Sequence, residues 1–269
     1  MFVYFPAVIA LGLAFFHFHL RGAETTWAGL QNFRDALEYR IFWIAVRNTV
    51  LYAAVMIPLT VSLALLIAAL LTRQSRFYGA LRTAVLLPYV TPVVATSIGW
   101  LWIFNPQYGV ANSALHALGL PELPWLQSTT WALPSVAIYT LWHGLGFDVI
   151  VACAALAAVP RQVVEAARVD GAGLMTELTR VILPIVVPGL AATALICMIF
   201  SWNEFFFAVN LTATRAGTMP VFLVGFITSE GLYWAKLAAA ASLASLPVVL
   251  LGWIAQKQLV RGLALGAVK

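Results

Sequence analysis

The chain has 269 residues, of which 62% are hydrophobic and only 9% charged. Soluble domains carry about 25% charged residues, so this composition, with a mean hydropathy of +0.93, excludes a soluble globular protein. The formal net charge of +5 is not a nucleic-acid signal here, because the basic residues stand at the edges of apolar blocks, where they report topology.

Long continuous apolar blocks, in place of alternating stretches of about ten residues, select helices over a β-barrel. Phe2 to Phe18 is just long enough to cross a bilayer at about 1.5 Å per residue. It lacks the basic lead-in and small-residue cleavage site of a signal peptide, and reads as a first membrane helix with a missing or very short cytosolic lead-in. His17 and His19 at its end read as interfacial. Residues 20–45 place Trp27, Phe33, Tyr39 and Trp43 among Arg and Glu, the pattern of an interfacial amphipathic segment. Residues 46–71 form a second span that Pro58 should kink. A short basic turn, 72–82, leads to a third span over 83–104 containing Pro88 and Pro92. A polar, turn-rich stretch follows over 105–130, then a fourth span over 131–158. The most polar run between two apolar blocks comes next, over 159–183. A fifth span covers 184–209, a sixth 232–255, and the tail is 256–269. Cys153 and Cys197 lie inside apolar blocks and read as small hydrophobes. The expectation is an all-α membrane protein with about six transmembrane helices. A first helix and amphipathic outer segment (1–45) precede a core of about five helices (46–269).

Lys and Arg set the orientation. The 72–82 turn, the 159–183 loop and the tail hold nine of them and the opposite side six, which places the loop and the C-terminus in the cytosol. Within the loop, Val164, Ala167 and Arg168 can share one helical face. Gly171 and Gly173 break that helix, with Gly171 needed for its backbone freedom, and Leu174 starts a second helix that ends near Pro184. Helix, glycine bend and helix at one membrane face make a shape for docking into another protein. Glu165 lies on the first helix, where pairing with Arg161 or Arg168 would be weak. The other reading of the run is a solvated turn.

No Walker A sequence and no HExxH motif is present, and the histidines and cysteines have no metal-ligand spacing. Nothing in the residues supports an enzyme acting on its own. Polar residues inside spans usually face a bundle interior or a water-filled cavity. Asp148 lies about midway along the fourth span, near His143. It is either a wall of a polar pathway or a helix-packing hydrogen bond. Tyr89, Trp100, Trp142, Trp202 and Phe206 stand near polar residues such as Asn203 and Glu204. They either line a path for sugars, whose apolar faces stack on aromatic rings, or face lipid.

The loop also carries a resemblance. Glu165-Ala166-Ala167, Asp170-Gly171-Ala172 and Ile182-Leu183-Pro184 resemble the EAA motif of permease subunits in binding-protein-dependent ABC importers. Trp27 to Phe33, Arg47-Asn48-Thr49, Leu86 to Val90 and Phe104 to Gly109 resemble the first permease type of carbohydrate importers. Ser201 to Phe206, Met219-Pro220-Val221, Leu259 to Leu263 and Gly266 to Lys269 resemble the second type, including polyol and maltose permeases. The resemblance implies that 159–183 is a coupling loop docking on a cytosolic ATPase through Glu165, Ala166, Ala167, Asp170, Gly171 and Ala172. It implies two ATPase subunits, a second permease (a different chain or another copy), an extracytoplasmic substrate-binding protein and a sugar or polyol substrate. The location is the bacterial cytoplasmic membrane, among its lipids. Cofactors bound by this chain are none, with ATP and Mg used by the partner ATPase. The substrate path would involve Tyr89, Trp100, Trp142, Asp148, Trp202 and Asn203. The rival readings are a permease for another small solute, a non-transporting scaffold, and a proton-coupled carrier relying on Asp148 and His143.

Overall fold

The structure, a computed structural model, describes residues 4–18, 25–71, 76–157, 159–173, 176–212, 215–228 and 231–267. Its first helix, α1 (Tyr4–Leu13), is shorter than the span expected over Phe2 to Phe18. The helix ends at Leu13, five residues before the expected end, and the chain turns into a two-residue antiparallel ladder pairing Phe16 with Trp27. The amphipathic segment is α2 (Gln31–Glu38). Buried Asn32 donates from Nδ2 to the carbonyls of Ala14 (2.8 Å) and Phe16 (3.0 Å), fastening α2 to the end of α1.

The long helix α3 (Arg40–Leu71) begins six residues before the expected second span and carries Pro58 inside it. Its buried residues, from Phe42 and Ala45 through Thr49, Tyr52, Met56 and Thr60 to Ala64 and Ala68, recur every three or four positions. That period makes one helical stripe, and the stripe packs on α7 (Ala132–Ala157). The third span is not one helix. It divides into α4 (Arg76–Val90) and α5 (Val93–Ile103), bent by 92°. Pro92 accounts for the break, since proline disfavours helix at the residue before it, here Thr91. Pro88 lies within α4 without ending it. The short α6 (Val110–Ala117) closes the outer stretch, where Asn112 Oδ1 accepts from Trp125 Nε1 at 2.7 Å. Gly146 brings α4 against α7, because a Cβ there would lie 2.3 Å from the Val85 carbonyl oxygen.

After α8 (Arg161–Val169) a π-helical turn, Glu177–Ile182, runs directly into α9 (Leu183–Trp202). The second loop helix therefore does not end near Pro184. That proline lies in the first turn of α9, directly behind the π turn. Leu174, its expected start, lies outside the described residues. The fifth span is also broken, with α9 followed after Asn203–Phe205 by α10 (Phe206–Thr212) at a bend of 43°. Next comes α11 (Met219–Val224), whose Met219 N–H donates to Thr49 Oγ1 at 2.9 Å. The last helix, α12 (Trp234–Ala267), continues through the expected tail. It packs on α9, α2 and α1. Among the described residues, three helices are long and apolar enough to cross a membrane (α3, α7 and α12), and the two bent pairs raise the number to five.

Candidate functional site

Two regions gather the residues singled out in the sequence. The first is the loop around α8. Pro160 in extended conformation opens the helix, and Gly171 closes it with φ +80°. The N–H of Ala172 bonds to the carbonyl of Ala167 (2.9 Å) and that of Gly171 to Arg168 (3.1 Å), the paired bonds of a Schellman cap. Glu165, Ala166, Asp170 and Gly171 are exposed, and Ala167 and Ala172 half-buried. Val169 is 87% exposed and Val163 40%. The helix thus presents apolar side chains beside Glu165, on a surface this chain does not cover.

Arg168 does not pair with Glu165. Its Nε and Nη2 donate to the two carboxylate oxygens of Glu177 at 2.8 and 3.0 Å. The Arg168 hydrogen bond holds the Glu177 carboxyl below the usual carboxylate range, and the same bond raises Arg168. Nine positions separate the two residues, a distance no helical period brings together. Their meeting depends on the reversal at Gly171.

The second region is a cavity of about 290 Å³ between α3, α7, α9 and α10. Tyr52, Thr60, Tyr89, Thr140, His143, Asp148, Ser201, Asn203 and Glu204 give it polar groups, and Met56, Phe147 and Phe205 to Phe207 apolar ones. The Tyr52 and Thr140 hydroxyls lie close to each other, and with His143 Nε2 they are buried at this cavity. Such groups are costly inside a protein unless hydrogen-bonded. Asp148 accepts from the Cys197 thiol at 3.7 Å. Glu204 accepts from the N–H groups of Phe207 (2.9 Å) and Ala208 (3.2 Å), which caps α10 and holds the bend after α9.

Tyr89, Asp148 and Asn203 come together at this cavity, with Tyr89 stacked on Phe147 at 5.2 Å. Trp100 and Trp142 stand outside its lining. Their rings meet tilted by 53° with centroids 5.4 Å apart, and each lies beside Tyr139. Trp202 is elsewhere, its Nε1 bonded to the Ala244 carbonyl at 2.9 Å across the α9–α12 contact. Tyr52 and Thr140 were not singled out by sequence reasoning; the available signal was a hydroxyl inside an apolar span. A larger cavity, about 680 Å³, opens between α2, α11 and the start of α12. Its charged residues pair with each other, Lys236 with Asp35 at 3.2 Å. No group of three metal-ligating side chains occurs among the described residues.

Broken membrane helices around a polar cavity, with a short exposed helix at one face, define a helical membrane permease. Residues 60–264 match the family described as binding-protein-dependent transport system inner membrane component, and the chain belongs to that family. It is similar to the sulfoquinovosyl glycerol transport system permease protein SmoG of Agrobacterium fabrum, with 26% identity over 90% of this chain and 79% of the relative. It is also similar to the trehalose/maltose transport system permease protein MalF of Thermococcus litoralis, 29% identical over 76% of this chain and 70% of the relative. A crystal structure of a bacterial ABC transporter involved in the import of the acidic polysaccharide alginate contains a chain of the same fold. That chain has a TM-score of 0.77 and 25% identity, over 96% of this chain and 90% of its own. This chain is an integral inner-membrane transport component, and its family is one of transport subunits, not enzymes.

Proposed function

We propose that this chain is a permease subunit of an ATP-driven importer that carries a sugar or polyol across the cytoplasmic membrane by alternating access. The observation that carries the reading is α8, a capped helix standing at one face with Glu165 and Val169 exposed. Together with the Schellman cap, they leave a rigid short helix whose outer face the described residues do not cover. In this reading Glu165, Ala166, Ala167, Asp170, Gly171 and Ala172 dock on one of two cytosolic ATPase subunits, and the C-terminus lies on the same side. ATP and Mg are used by those subunits, and this chain binds no cofactor. An extracytoplasmic binding protein delivers the solute, and a second permease completes the path.

The carbohydrate reading is supported by the named substrates of the similar proteins, a sulfoquinovosyl glycerol system and a trehalose/maltose system. It is also supported by a cavity that joins aromatic rings to buried hydroxyl and imidazole groups, which suits a solute with many hydroxyls. Tyr89, Asp148 and Asn203 form part of the path, with Tyr52, Thr140 and His143 added. Trp100, Trp142 and Trp202 support its walls from behind.

Co-purification with a carbohydrate-type ATPase tests the docking. The native chain should retain the ATPase, and Glu165→Ala and Gly171→Pro should lose most of it. Equal retention in all three would remove the role given to these residues. No retention by the native chain would remove the ATPase partner.

A further inference from the structure

Among the described residues, and apart from marginal contacts, α8 packs on one other element, the π turn 177–182. That turn packs on α9, and α9 packs on α12, α3 and α7. Displacement of α8 can reach the bundle by two routes, the short chain link back to α7 and the junction with the turn. The covalent link across the junction contains Gly171 and Gly173, and glycine is the residue with the greatest backbone freedom. A link of that kind transmits a push poorly unless something braces it.

The Arg168–Glu177 pair supplies that brace. Two parallel hydrogen bonds, 2.8 and 3.0 Å long, fix direction as well as distance, because guanidinium and carboxylate meet as two planar forks. The burial is unequal. The Glu177 side chain is 6% exposed and that of Arg168 60%. The acid is thus seated on the bundle side, and the base reaches to it from the exposed helix. With one partner this exposed, the pair adds little net stability, so its consequence is chiefly where it holds the two elements. Glu177 also opens the π turn, a rare conformation often found at functional sites.

We propose that Arg168 and Glu177 form the strut that transmits displacement of α8 to α9. They are positioning residues for transport, touching neither nucleotide nor solute. This rests on the reading of α8 as the ATPase-docking element.

The test uses the complete importer in proteoliposomes, reading retained ATPase and solute imported per ATP hydrolysed. Glu177→Gln keeps the shape and removes the charge. It should keep the ATPase bound while import per ATP falls about 2- to 30-fold, the range of substitutions along a coupling route. Arg168→Lys should fall in the same direction, because lysine cannot make the paired bonds. The exchanged pair, Arg168→Glu with Glu177→Arg, should recover much of the loss, which shows that the pair and not either side chain alone is responsible. Unchanged import per ATP in Glu177→Gln overturns the strut and leaves the proposed function standing. Release of the ATPase by Glu177→Gln also overturns it, since the pair would then serve docking. A native chain that retains no ATPase removes the docking reading and the strut with it. Hydrogen exchange on the purified permease supplies a second readout. Glu177→Gln should speed exchange at Arg168–Ala172 and in the π turn alone, whereas faster exchange throughout α3 and α7 would make the pair a general stabiliser and contradict the strut.

Discussion

Gly171 holds a φ of +80° with no atom within 4 Å of the place a Cβ would occupy. Gly171→Ala therefore meets no clash and carries only the left-handed backbone penalty, about 1–2 kcal/mol. It should loosen the α8 cap, seen as faster amide exchange at Asp170–Ala172, while the spans keep native protection. Gly146 is the opposite case. A Cβ there would meet the Val85 carbonyl at 2.3 Å, whereas Gly144 has open space. In detergent, Gly146→Ala should lower thermal stability by about 1–3 kcal/mol and Gly144→Ala by much less; equal effects would contradict the close α4–α7 crossing. Glu177 gives a pH prediction. Its carboxyl is held low in the folded chain by Arg168, so its contribution is fully present above the unfolded carboxylate value of about 4.3. It is lost as pH falls through the lower folded value. Exchange protection in the loop, relative to Glu177→Gln, should stay flat from about pH 8 to 6 and vanish only in strong acid. The need for Gly171 was legible in the sequence, because only the backbone was at stake. The Arg168–Glu177 pair was not, because it depends on where a chain reversal sends two side chains nine positions apart.

At the scale of elements, breaks in helices shape the cavity. Glu204 caps α10, so Glu204→Ala should destabilise the bend by about 1 kcal/mol and Glu204→Gln, which keeps a carbonyl acceptor, by less. Thermal unfolding and exchange across Phe206–Thr212 would show the difference. The long α3, α7 and α12 were legible from continuous apolar runs, which leave a chain in lipid few alternatives to helix. The breaks were only partly legible. Pro88 and Pro92 are both visible in the sequence, yet the helix bends at Pro92 and passes through Pro88, because local context decides which proline breaks a helix. Facing was less legible still. Trp202 and Tyr89 both stand near polar residues, yet Trp202 bonds across to α12 and Tyr89 reaches the cavity. A hydropathy block gives a span without saying which side of it meets the bundle.

At the scale of the whole molecule, contacts among the described residues link the exposed α8 to the polar cavity through the π turn and α9, beside the direct chain link to α7. The Asp148–Cys197 contact and Glu204 lie along that route, where α9 and the bend after it border the cavity. A displacement at the membrane face thus has a physical path to the groups that would meet a solute. Uptake of a labelled neutral disaccharide by proteoliposomes holding the complete importer tests this account most directly. Native chain and Glu165→Ala would be compared with and without ATP. The account predicts ATP-dependent uptake by the native chain and its collapse in Glu165→Ala. Equal uptake with and without ATP, or full uptake by Glu165→Ala, would contradict it.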